Sequence, residues 1–173
     1  RSDADLLSEL WSQKDRWWEV WLAPPEVRDQ RERMRFRMTL VRLQTGMKNR
    51  IHAILHRHGI VHELADLFGT AGRRMLQRLA LSGDERLSPT GQSTLKGYLQ
   101  LLDSVRRQIA KVTREVRTQV ERTPRGKRWC TLPGVGSILA HTILAEIGPI
   151  ERFRSFRHMA SYALLAPRAY DSG

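Results

Sequence analysis

An unbroken apolar seam between Gln92 and Glu121 constrains the fold of this chain more than any other feature. Its members alternate in steps of three and four residues: Leu95, Tyr98, Leu102, Val105, Ile109, Val112 and Val116. This spacing puts them on one side of a helix over about three heptads. A side of that kind has to be buried against another helix. An ordinary core helix is the alternative to a coiled coil.

A second long helix is predicted from Glu26 to His58, a stretch without proline. Its apolar residues also recur at steps of three and four: Phe36, Leu40, Leu43, Met47, Ile51 and Ile54. At 1.5 Å per residue it would be a rod of about 50 Å, with Gly59 as its C-terminal cap. It is the natural antiparallel partner of the seam. A second chain is the alternative, and both hold in a four-helix arrangement.

The predicted fold is therefore all-α, a long antiparallel coiled-coil hairpin followed by a small helix-hairpin-helix domain. We expect an aromatic helix over 3–21, the basic coiled coil at 23–123 and the small domain at 124–173. Glycine and proline spacing predicts two short helices near 61–68 and 71–81. The stretch "RTPRGKRW" at 122–129 is interpreted as a basic linker. Cys130 is expected to be a buried, unreactive residue.

The positive charge is concentrated on the two long helices. The chain carries 30 Lys and Arg against 18 Asp and Glu, a net charge of +12. Residues 26–58 and 103–128 each hold nine basic and three acidic side chains, and the remainder is balanced. Concentrated positive charge rich in Arg favours a nucleic-acid partner, because the guanidinium group matches phosphate oxygens. A solvated, soluble surface is the alternative.

A tight turn after residue 132 is the best candidate for a phosphate-binding element. Pro133, Gly134, Val135 and Gly136 separate a short helix ending at Leu132 from a helix predicted over Ser137–Ile147. The N–H groups that begin a helix attract anions. We therefore predict DNA contacts from the turn, from Ser137, and from Lys127, Arg128, Arg152 and Arg154. A plain helical hairpin in a small core is the alternative. Ser155 is predicted to cap a last helix that ends near Leu165.

Polar residues on the first long helix complete the candidate surface. We predict that they contact nucleic acid: Arg42, Lys48, Asn49, Arg50, His52 and Arg57. A zinc site among His52, His56, His58 and His62 is disfavoured, because no cysteine is near to complete it. No apolar run approaches the 18 or so residues of a membrane span. A reducing, cytoplasmic compartment fits the single cysteine.

Four stretches taken in order resemble one known family: "DADLLSELW", "PPEVRDQRERMRFRMTLVRLQTGMKNRIHAILHRHGI", "TLPGVGSILAHTILAEIGPIERFRSFRHMASYALLAP" and the closing "DSG". They resemble the bacterial insertion-sequence transposases that join an RuvC-like DEDD domain to a serine domain and are guided by a bridge RNA. Residues 1–22 would then be the tail of the RuvC-like domain, and 124–173 a truncated serine domain.

The resemblance implies a specific chemistry. Asp3 matches the last of four acidic residues that bind Mg²⁺, and the other three would lie upstream. Ser172 matches the nucleophilic serine that attacks a DNA phosphate. The coiled coil would form a homodimer or a higher homo-oligomer and contact both DNA and guide RNA. The chain departs from the family at Leu164, where glycine is usual.

The resemblance also predicts that the chain is a middle section of a longer transposase. With one metal ligand of four, we expect that this section holds no Mg²⁺ and binds nucleic acid without cutting or joining it. A non-catalytic architectural module and a helical oligomerisation scaffold are the alternatives.

Overall fold

The computed structural model describes residues 2–12, 20–81 and 85–163, and every regular element in these ranges is helical. The helices are α1 (Asp3–Ser12), α2 (Pro25–Arg57), α3 (Thr70–Leu81), α4 (Pro89–Arg122), α5 (Pro124–Trp129), α6 (Ser137–Ile147) and α7 (Phe156–Tyr162). A single 3₁₀ turn at Ile150–Arg152 lies between α6 and α7. The prediction of an all-α fold is confirmed for the described residues.

The two long helices pack against each other in an antiparallel hairpin, which we call the α2/α4 hairpin. Near its closed end, Ile51 and Ile54 of α2 share a core with Leu95 and Leu102 of α4. At the opposite end, the start of α2 meets the end of α4 in a second core, formed by Met34, Leu40, Val112 and Val116. Apolar burial along the seam supplies the main stabilisation of such a hairpin.

The seam of α4 is satisfied within the chain. Leu95, Leu102 and Val116 have no exposed surface, and Val105 and Ile109 pack at the edge of the second core. The seam is therefore buried against α2 and the other helices of the same chain.

The predicted apolar face of α2 is only partly buried. Phe36 is 47% exposed and Leu43 is 48% exposed, while Met34, outside the predicted face, is buried. The reason is the placement of the shorter helices. α3 covers the closed end, and α6 packs on the start of α2 and the end of α4. The middle of the predicted face thus has α4 alone as cover.

Two predictions for the connections are wrong. Residues 61–68 form no helix; the Asp66 side chain accepts a hydrogen bond from the Phe68 amide instead, a local bond that competes with helix formation. The "linker" at 122–129 is itself helical over Pro124–Trp129. Thr123 ends α4 and caps α5 through Gly126, so α5 follows α4 directly. The predicted boundary at 124 stays a prediction.

Other helix ends lie where glycine and serine in the sequence predict them. α2 ends before Gly59, whose φ of +65° is a conformation that glycine adopts without a steric penalty. Ser155 caps α7 by accepting from the His158 amide. Residues 164 and 165 of the predicted last helix, and 13–19 of the predicted first, lie outside the described residues. None of the described helices is long and apolar enough to cross a membrane.

Candidate nucleic-acid-binding surface

The turn between α5 and α6 has the tight geometry that its sequence predicts. Gly134 has a φ of +81°, which favours glycine. The amide of Val135 donates to the carbonyl of Leu132 at 3.0 Å and closes the turn. Helix α6 then begins at Ser137 and ends at Ile147, as predicted. Pro133, Gly134 and Gly136 are exposed, so the turn faces solvent.

The beginning of α6 has no side-chain cap. Gly136 is its N-cap residue, and no side chain among the described residues bonds the N–H groups of the first turn. Gly136 has a φ of −83°, which any residue adopts, and a Cβ added there would meet nothing within 4 Å. Nothing in the fold therefore demands glycine at 136. Close approach by another molecule would favour glycine at this position, since a side chain there would keep that molecule away.

Three of the four basic residues predicted beside the turn are exposed. Lys127 and Arg128 lie on α5, directly before the turn, and Arg154 precedes α7. Arg125, which was not predicted, pairs with Glu151 at 2.7 Å on the surface. The Glu151 backbone hydrogen bond, together with Arg125, lowers the pKa of the Glu151 carboxyl. This pair places one negative charge close to the basic surface.

Arg152 has a different environment from its basic neighbours. Its guanidinium carbon lies 4.1 Å from the ring centroid of Trp21 and 4.3 Å from that of Tyr162. Its Nε donates to the carbonyl of Ile147 at 2.9 Å. This side chain is half-buried among rings, whereas Arg154 is exposed to solvent.

A further arginine that the sequence analysis did not select holds the other end of α6. Arg31 of α2 donates to the carbonyls of Ala145 and Glu146, each at 2.9 Å. Cationic side chains at a helix C-terminus satisfy its unpaired carbonyls and suit its dipole. No sequence pattern announces this contact, because the partners are more than a hundred residues apart.

The structure divides the predicted nucleic-acid residues of α2 among different sides of the helix. Arg42 and Arg50 line a shallow groove with Leu43, Met47 and Tyr98. Lys48 and His52 instead contact Phe68, Lys48 with its ammonium 5.1 Å from the ring centroid and His52 edge-on at 5.4 Å. Asn49 and Arg57 are exposed. The six residues do not share one face, although all belong to one long basic helix.

One buried polar residue lies where α2, α4 and α6 meet. His141 is 3% exposed, and its Nε2 has no hydrogen-bond partner in the described part of the chain. Burial lowers the pKa of His141, and the positive charge of Arg33 lowers it further. His141 therefore stays neutral near pH 7, inside the junction that supports the turn.

An apolar groove lies on the other side of α6. It has a volume of about 540 Å³, and its walls include Trp129 and Leu132 from α5 and the turn, Ile143 and Ile147 from α6, and Met159 from α7. Cys130 is exposed, so its predicted burial is wrong: the chain has left α5 there and turns outward. Sequence periodicity could not reveal this groove, since it is built from three short helices.

Of the predicted catalytic and metal residues, the structure describes Asp3 alone. Asp3 is exposed in the first turn of α1, and the described residues contain no group of three His, Cys, Asp or Glu side chains able to hold a metal ion. This donor set does not fit Mg²⁺, which takes several oxygen ligands in octahedral order. Ser172 lies outside the described residues.

One family model matches the C-terminal part of the chain. Residues 126–173 match the family model described as "Transposase IS116/IS110/IS902 family". This match begins inside α5 and includes the turn, α6 and α7. It covers a minority of the chain.

Curated relatives extend the similarity to the hairpin. The chain is 27% identical over 143 residues to a "Probable family 20 transposase" of Pseudomonas aeruginosa, covering 80% of this chain and 40% of that protein. It is 28% identical over 140 residues, with the same coverage, to "Transposase for insertion sequence element IS1328" of Yersinia enterocolitica.

A shorter stretch is more similar to a protein with another name. It is 46% identical over 43 residues, 25% of this chain and 13% of the relative, to the "Pilin gene-inverting protein" of Moraxella bovis. The chain thus spans 40% of the length of each of the two transposases above. No solved structure matches the chain significantly.

Proposed function

We propose that this chain is the nucleic-acid-binding part of an insertion-sequence transposase, and that it holds DNA through phosphate contacts at the α5–α6 turn and along the α2/α4 hairpin. The uncapped start of α6 beside the open Gly136 carries the proposal. Exposed backbone N–H groups at a helix start accept a phosphate oxygen. Such contacts position a protein on DNA and read no sequence.

The surrounding charge supports the same proposal. Lys127 and Arg128 are exposed within a few residues of the turn, and the whole chain carries +12. The similarity to transposases covers both the hairpin and the turn. DNA is the polyanion that a transposase has to hold.

Catalysis in the longer protein is a separate part of the proposal. Ser172 would be the nucleophile that attacks a DNA phosphate, and Asp3 would be one of several acidic residues for Mg²⁺. The resemblance supplies both roles. Because the described residues contain no cluster that completes a metal site with Asp3, we expect the isolated chain to bind DNA and to join no strands. Guide RNA as a second partner is likewise a proposal from the resemblance.

Substitution of Gly136 tests the DNA-binding proposal. Gly136→Val places a branched side chain where the phosphate would approach, and it meets no protein atom within 4 Å at Cβ. We expect affinity for duplex DNA to fall about tenfold, equivalent to about 1.4 kcal/mol, in a chain that stays folded, since valine in place of glycine at an N-cap costs about 1 kcal/mol. Gly97→Val, at a glycine of α4 that is equally open, is the matched control. Equal affinities of the two variants would remove the turn from the binding surface.

A homodimer is the proposed assembly. The exposed apolar residues Phe36 and Leu43 lie on the uncovered middle of the α2/α4 hairpin, where a second copy would bury them. We expect Phe36→Glu to give monomers in sedimentation equilibrium. Met38→Glu is the control, since Met38 is 48% exposed on the opposite side of α2. A dimer that survives Phe36→Glu, or that Met38→Glu disrupts equally, would contradict this assignment.

A further inference from the structure

Arg152 is enclosed by three aromatic rings from two distant parts of the chain. Its guanidinium carbon lies 4.0 Å from the centroid of Phe153, 4.1 Å from that of Trp21 and 4.3 Å from that of Tyr162. A guanidinium over ring faces is attracted by the ring quadrupoles, most strongly when water is excluded. We call these four residues the Arg152 clasp.

The clasp is also fixed by hydrogen bonds at the end of α6. Arg152 Nε donates to the Ile147 carbonyl at 2.9 Å. The Tyr162 hydroxyl donates to the Glu146 carbonyl at 3.3 Å and lies 3.4 Å from Nη2 of Arg31. Hydrogen bonds therefore hold the guanidinium of Arg152 and the ring of Tyr162 against the end of α6.

Close packing of Trp21 shows that the clasp is built tightly. A Cβ added at Gly148 would lie 3.1 Å from Cη2 of Trp21. Gly148 also has a φ of +68°, so a side chain there would be both strained and crowded. Arg31 adds a second cation 5.6 Å from the Trp21 ring centroid. Trp21 thus lies against the end of α6 and beside two guanidinium groups.

Trp21 and Tyr162 of the clasp come from segments that lead toward the two candidate chemical residues. Trp21 lies in the segment before α2, on the side of the chain that leads back to Asp3. Tyr162 ends α7, ten residues before Ser172. The clasp therefore joins the segments through which the chain leads to both candidate chemical residues.

We infer that Arg152 is a positioning residue, which locks the segment before α2 to the end of α7, and that it is not a phosphate contact. The inference rests on the proposed function where it connects the two segments with the catalytic roles of Asp3 and Ser172. The mechanical coupling of Trp21 to α7 stands on the contacts alone. Arg154, two residues away and exposed, is the contrasting arginine that remains open to a phosphate.

Hydrogen exchange of the full chain tests the coupling. We expect Arg152→Ala to accelerate amide exchange in 156–163 about tenfold or more, as loss of several cation–π contacts and one hydrogen bond predicts. Trp21→Leu, far away in sequence, should accelerate the same amides. Arg152→Lys keeps the charge without the planar group and should rescue only part of the protection. Exchange in 95–102, in the core of the hairpin, should not change.

Two outcomes would overturn the inference. Unchanged exchange in 156–163 in the Trp21→Leu variant would show that the two segments are not coupled. A uniform acceleration that includes 95–102 would show general destabilisation, and Arg152→Lys provides the milder variant if Arg152→Ala unfolds the chain.

DNA binding distinguishes the clasp from a phosphate contact. For a phosphate contact, Arg152→Lys would keep the salt dependence and Arg152→Ala would reduce its slope by about one. We expect an unchanged slope for both, and a reduced slope for Arg154→Ala. A reduced slope in Arg152→Ala with normal exchange would contradict the positioning role. If the unmodified chain binds no DNA, the proposed function fails, while the exchange experiment still decides the coupling.

Discussion

The α2/α4 hairpin and the C-terminal helices α5–α7 are stabilised in different ways. The hairpin buries a repeating seam, with Leu95, Leu102 and Val116 fully enclosed. The C-terminal helices are short, and specific polar and cation–π contacts add to their packing: Arg31 on the carbonyls of Ala145 and Glu146, and the Arg152 clasp. A substitution in the periodic core should lower the stability of the whole fold, whereas the loss of one specific contact should act mainly within the C-terminal helices. This difference predicts where substitutions act and how far their effects spread.

The largest effect is expected from the core of the hairpin. Leu102 has no exposed surface, whereas its neighbour Leu101 is 52% exposed. Leu102→Ala should lower the free energy of unfolding by about 2–5 kcal/mol through lost burial and a cavity, while Leu101→Ala should change it by about 0.5 kcal/mol or less. Urea denaturation measures both. Similar losses for the two leucines would mean that the seam is not the core of the hairpin.

A smaller effect is expected at the junction of the two regions. A Cβ at Gly126 of α5 would lie 2.6 Å from the carbonyl oxygen of Val120 and from Oγ1 of Thr123. Gly126→Ala should therefore cost about 1–3 kcal/mol by overpacking. Gly97→Ala, in the open part of α4, should instead stabilise by up to about 1 kcal/mol. Thermal unfolding should show a lower midpoint for Gly126→Ala and a higher one for Gly97→Ala. A stabilising Gly126→Ala would show that α5 does not pack on α4 as described.

The smallest effect is a pH dependence at the α2–α4–α6 junction. Burial and Arg33 lower the pKa of His141 in the folded chain. The unfolded chain then takes up the proton first, so His141 costs no stability above its ordinary pKa of about 6.5 and destabilises the fold as the pH falls below it. Each unit of lowering corresponds to about 1.4 kcal/mol.

Replacement of His141 isolates this contribution. In urea denaturation between about pH 7.5 and about pH 5, His141→Gln should lose less stability on acidification than the unmodified chain. Identical pH profiles for the two proteins would mean that His141 titrates normally in the fold.

The sequence predicted the two long helices well because their signal is periodic. The α4 seam and the limits of α2 and α6 follow from apolar spacing, glycine and proline. The exposure of Phe36 and Leu43 could not be predicted, since it depends on where α3 and α6 lie. The apolar pattern of residues 61–68 is too short to distinguish a helix from a loop that is held by a local side-chain hydrogen bond.

The backbone of the turn could be predicted from the sequence, whereas the surroundings of Arg152 could not. "PGVG" specifies a local backbone, and Gly134 adopts the positive φ that the motif favours. Arg152 has the same charge and sequence neighbourhood as Arg154, but its partners Trp21 and Tyr162 are distant in sequence. The two arginines cannot be distinguished from the local sequence, because their difference in burial arises from tertiary packing.

The salt dependence of DNA binding tests the central proposal most directly. Fluorescence anisotropy with a short duplex of arbitrary sequence would give the affinity of the full chain at several salt concentrations. Phosphate contacts at the turn and along the basic helices predict a log–log slope of about −3 or steeper, since each contact contributes about −0.9. A slope shallower than about −1, or no binding at low salt, would contradict the account.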